Sequence, residues 1–100
     1  MKRYAIYTCF YEVKPNDYNK EELWSCTPYA DGTAPKMIKS FESLDEAQKY
    51  LNNEVEPDTV YDRGHFYAVT QSWIEEEEFI DDEWNPAGSA WGKTAEPEMR

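Results

Sequence analysis

From Tyr4 to Val13 the chain reads Tyr-Ala-Ile-Tyr-Thr-Cys-Phe-Tyr-Glu-Val, β-branched and aromatic residues with no Gly or Pro. Such side chains pack well on a pleated surface, and the segment predicts a β-strand. Sorted by the two-residue period of a strand, Tyr4/Ile6/Thr8/Phe10 and Ala5/Tyr7/Cys9/Tyr11/Val13 are both largely apolar. Two apolar faces place this strand inside a sheet, not at its edge. Lys14 to Asn19 holds the Pro, Asn and Asp that favour a turn. Glu22 to Thr27 reads as the returning strand, stopped by Pro28, which cannot donate a ladder hydrogen bond. A second turn over Ala30-Asp31-Gly32-Thr33 leads into a short strand from Lys36 to Phe41.

The period then changes. Ser43-Leu44-Asp45-Glu46 is a capping box, and Leu44, Ala47, Tyr50/Leu51 and Val55 recur at helical spacing. Asn52-Asn53 and Pro57 end this helix. After a loop through Asp58 and Gly64, His65 to Glu75 predicts a long strand. Residues 76 to 83 either extend it or leave the sheet, and 85–100 have the composition of an irregular tail. The expected architecture is α+β: an antiparallel sheet of roughly four strands in ββ(β)αβ order, with one helix on one face. A single domain spans 1–84, followed by an irregular acidic C-terminal tail over 85–100 that is partly mobile.

One helix covers one face of such a sheet. The opposite face still receives several of Tyr4, Tyr7, Tyr11, Trp24, Tyr67 and Trp73, so it needs a cover. A second copy in a sheet-on-sheet homodimer, another partner, or the tail through Trp84 and Trp91 would supply one.

Composition narrows the function. The chain of 100 residues has a net charge of −11. Residues 1–50 hold 7 Lys/Arg against 8 Asp/Glu, whereas residues 51–100 hold 3 against 13. Such a surface repels nucleic acid and anionic membrane and attracts basic proteins. No apolar run approaches the roughly 20 residues that span a bilayer, and the start, Met1-Lys2-Arg3-Tyr4, does not read as a signal peptide. A cytoplasmic protein is expected. Cys9 and Cys26 lack zinc or redox spacing. A turn centred between Asp17 and Tyr18 would set them opposite one another, although a reducing compartment favours two half-buried thiols.

Catalytic chemistry finds little purchase. The 4 glycines form no phosphate-binding fingerprint, and His65 follows Asp62-Arg63-Gly64, a turn, so it starts a strand more readily than it acts as a base. No cofactor or metal is expected, since the spacing of a calcium loop is missing. The acidic run stands out: Glu75, Glu76, Glu77 and Glu78, then Phe79, then Asp81, Asp82, Glu83 and Trp84. Carboxylates on one strand face recur every ~6.6 Å, a spacing on the scale of a phosphate row, with Phe79, Ile80 and Trp84 interleaved as an anchor. The expected function is a non-catalytic acidic protein-interaction module, in its sharper form a DNA mimic that binds the basic surface of a nucleic-acid-handling protein. The alternative is a dimeric domain that binds a small apolar ligand on its aromatic sheet face, with Tyr hydroxyls and His65 as polar handles. A third reading leaves the acidic surface only solubilising.

Overall fold

A computed structural model describes residues 1–13, 35–64 and 67–100. In chain order these form β1 (Lys2–Val13), β2 (Lys36–Phe41), α1 (Leu44–Asn53), β3 (Thr59–Asp62), β4 (Tyr67–Ile80), β5 (Glu83–Gly92) and β6 (Glu98–Met99). The expected turns at Lys14–Asn19 and Ala30–Thr33, the strand Glu22–Thr27, Cys26 and His65 lie outside the described residues.

The α+β class holds, with one helix among the described residues, but the sheet is mixed and six-stranded instead of four-stranded and antiparallel. Its order is β2-β1-β4-β3-β6. β1 lies inside, paired with β2 on one side and along its whole length with β4, from Lys2↔Glu78 to Val13↔Tyr67. The other edge of β4 is shared: β3 takes its beginning, Tyr67–Thr70, and β5 its end, Trp73–Ile80. β6 runs parallel to β3, through Thr59↔Glu98 and Val60↔Met99.

The segment expected to be an irregular tail therefore carries two strands. Pro86, Gly88 and the small residues around them hide β5 from any propensity argument, yet its backbone completes the ladder of β4. The ladder is interrupted by a bulge between Glu75 and Glu77, where Gly88 sits at φ +91°. The left-handed region suits glycine because no Cβ meets the following carbonyl. Two consecutive aspartates, Asp81 at φ 52° and Asp82 at φ 63°, join β4 to β5 directly. Positive φ at both central residues is what a two-residue hairpin turn twisted like its strands requires, and Asp tolerates it better than most side chains.

The helix begins as its capping box predicts. Ser43 is extended, at φ −115° and ψ 130°, and its Oγ accepts the Glu46 N–H at 3.4 Å. No basic residue lies in the last turn. Lys93, just beyond β5, supplies that charge from elsewhere: its Nζ donates to the carbonyls of Leu51 and Val55.

Two cores follow from strand parity. On the helix side, Ala47 and Leu51 of α1 meet Ile6 and Ile74, with Tyr4, Phe41, Leu44, Tyr50, Val55 and Trp91 around them. On the other side Cys9, Tyr11, Val60, Val69 and Trp73 form a second cluster against Tyr7 and Tyr67. Tyr11 and Trp73 are each only 2% exposed. On this face Tyr7 stacks on its cross-strand neighbour Trp73 at 6.1 Å. Trp91 covers the opposite, helix-side face, edge-on to Tyr4 at 5.9 Å. Among the described residues no helix is long and apolar enough to cross a membrane.

Candidate functional site

The acidic run occupies the far half of β4 and the turn beyond it. It extends the strand to Ile80 and does not leave the sheet. With 14 residues at ~3.3 Å each, β4 runs close to the full 45 Å of the longest molecular dimension. The β4–β5 turn accordingly lies at one end of the molecule.

Strand parity divides the carboxylates into three environments. Glu75, Glu77 and Phe79 point to the face that carries Arg3 and Tyr7, since Arg3 pairs with Glu77 and Tyr7 with Trp73. Glu77 is only 5% exposed and is held from two sides. Arg3 Nε donates to its Oε1 at 2.8 Å, and the Tyr7 hydroxyl donates to Oε2 at 2.5 Å. Burial first, then the Glu77 hydrogen bond and the negative charges of Glu77 and Glu75, push the Tyr7 phenol up to about 12, so it stays a donor at neutral pH. Glu75 accepts the Trp73 indole N–H at 3.1 Å.

Glu76 and Glu78 share the other face. Glu76 is largely covered and pairs with Lys2 at 3.5 Å. The row of carboxylates expected at two-residue spacing is therefore partly consumed inside the fold. Asp81, Asp82 and Glu83, by contrast, are exposed at the turn. Sequence treats the run as one solvated segment; pairing with β1 gives its members different neighbours.

Two apolar residues of the run come together, while the third, Ile80, points to the opposite face with Glu76 and Glu78. Phe79 faces Trp84 across the hairpin, ring centroids 5.2 Å apart, and the Arg3 guanidinium lies 4.2 Å above the Trp84 ring. Phe79 remains 42% exposed and Ile80 48%. The Phe79 N–H donates to the Met1 carbonyl, which brings the still more exposed Met1 alongside. Asn85 braces the turn by donating its amide to the carbonyls of Ile80 and Glu83. The result on the Arg3 face is an apolar patch of Phe79, Trp84 and Met1, next to the exposed carboxylates of Asp81, Asp82 and Glu83. Beside it, a groove of about 570 Å³ runs between the start of β1, the end of β2 and Trp84.

Arg3, Tyr7 and Met1 were not legible as part of this site, because only the β1–β4 register brings residues 70 or more positions apart together. A second buried carboxylate, Asp58, was also missed. It accepts the Ser72 N–H at 2.9 Å, and burial raises it to about 6 against the opposing pull of that N–H and of Lys93. Burial lowers the Lys93 ammonium in turn. The Cys9 thiol is buried, which pushes its pKa up. Its expected neighbour Cys26 is outside the described residues, as is His65. Among the described residues no three His, Cys, Asp or Glu side chains gather in a way that could hold a metal ion.

Comparison with protein-family models, curated proteins and solved structures finds no match to this chain.

Proposed function

We propose that the chain is a non-catalytic protein-interaction module that docks the β4–β5 end of the sheet on a basic protein surface. The observation that carries this reading is the exposure of Phe79, beside Trp84 and Met1 on the Arg3 face of the hairpin, next to the exposed carboxylates of Asp81, Asp82 and Glu83 at the turn. An apolar centre with a charged rim is the usual anatomy of an interface. The centre supplies affinity once desolvated, and the rim supplies steering and selectivity. The net charge of −11 adds long-range attraction for a cationic partner. DNA mimicry is the specific form we favour: the exposed carboxylates occupy the place of phosphates in the cleft of a DNA-handling protein.

The test uses Asp81→Asn/Asp82→Asn/Glu83→Gln, which removes three charges while Asn keeps the positive φ that the turn needs. Proteins retained on the immobilised chain at low salt should be lost at raised salt, lost on the triple variant, and displaced by duplex DNA. Retention that ignores both salt and the variant would overturn the reading. Displacement by salt but not by DNA would remove the mimic and leave a basic partner of another kind.

A further inference from the structure

We propose that the groove between the start of β1, the end of β2 and Trp84 binds a small organic carboxylate with an apolar body, its carboxylate held by the terminal nitrogens of Arg3. The guanidinium is fixed before any ligand arrives. Its Nε is bonded to the buried Glu77, whose second oxygen is held by the Tyr7 hydroxyl, and its central carbon lies over the Trp84 ring, 4.2 Å from the centroid. Among the described residues the terminal nitrogens make no hydrogen bond. Four of the five guanidinium N–H donors are therefore left over, in the fork that matches a planar carboxylate with two parallel bonds. An arginine locked on one side by a carboxylate and on one face by an indole loses little rotamer freedom on binding.

The walls fit the rest of such a ligand. Met1, Phe41 and Trp84 line the groove with apolar surface, Lys2 and Ser40 add donors beside Arg3, and the volume of about 570 Å³ suits a small organic molecule. Charge selects against alternatives. Lys2 and Arg3 are opposed locally by Glu76, Glu77 and Glu42, and the chain carries −11 overall. A polyanion such as a nucleotide would be repelled more than a monocarboxylate, which is held by directed bonds and apolar contact. Added salt screens that repulsion over about 8 Å at physiological strength, so binding should tighten as salt rises. This is opposite in sign to the docking of a basic protein at the hairpin end, and the groove stands independently of that reading.

The experiment titrates 3-phenylpropionate and, separately, its neutral amide into the intact chain, followed by proton–nitrogen NMR. The acid should shift the Trp84 indole N–H and the backbone amides of Arg3 and Phe41, bind at least about tenfold more tightly than the amide, and bind more tightly in added salt. Arg3→Lys keeps the charge but lacks the fork, and should weaken the acid by about tenfold. The acid–amide comparison on the unmodified chain keeps the test valid if that variant folds poorly. Equal binding of acid and amide, or shifts that map away from the groove, would overturn the proposal.

Discussion

Glu77 and Asp58 are both buried carboxylates, and their surroundings give them opposite consequences. Glu77 is matched by Arg3 and Tyr7. Its removal would leave a largely covered guanidinium and a phenol without their acceptor, and Glu77→Ala should lower the unfolding free energy by about 2–4 kcal/mol in urea titration. Glu77→Gln, which can still accept from Tyr7, should cost less. Asp58 is held mainly by a backbone N–H, and burial raises its pKa to about 6 from an ordinary 3.8. The folded state thus binds this proton more tightly than the unfolded chain does. Ionised Asp58 destabilises the fold in full above pH 6, and the penalty disappears as pH falls toward 4. Asp58→Asn should stabilise the protein at pH 7 by roughly 1–3 kcal/mol. The gap between variant and parent should close at pH 4, and a gap constant across pH would refute that origin.

The hairpin that carries the candidate site depends on backbone that side chains rarely adopt. Asp81 and Asp82 both hold positive φ, and Gly88 makes the bulge of β5 at φ +91°. An L-residue in the left-handed region costs about 1–2 kcal/mol, Asp somewhat less. Asp82→Gly should therefore raise stability by about 0.5–1 kcal/mol, whereas Gly88→Ala should lower it by about 1 kcal/mol although nothing stands within 4 Å of the added Cβ. Thermal melts of the two variants decide both. A reader of the sequence meets Asp-Asp without the Gly that marks most such turns, and then a Pro and several small residues, so β5 escapes notice. β1, β2 and α1 were legible because each carries its own periodicity or cap. β3 has only four residues and β6 two, too short for any period to register.

Charge acts on the molecule as a unit. With −11 on 100 residues, the folded chain holds its carboxylates closer together than the unfolded chain does. Raising ionic strength from about 0.01 M to about 0.15 M shortens the screening length from about 30 Å to about 8 Å. The melting temperature should rise by a few degrees over that range. A melting temperature indifferent to salt would mean that ion pairs such as Arg3–Glu77 and Lys2–Glu76 already compensate the repulsion.

Local pattern was enough to mark β1 as an inner strand, to set the limits of β2 and α1, and to single out residues 75–84 as the unusual stretch. Each of these rests on neighbours within a few residues, which the order of amino acids records directly. The pairing of β1 with β4 is a different kind of fact. It sends Glu77 inward to Arg3, spends Glu76 on Lys2, leaves Asp81, Asp82 and Glu83 in solvent, and sets Tyr7 against Trp73. Identical glutamates in a row differ only through what lies across the strand, and register between segments some 70 positions apart is set when the sheet closes.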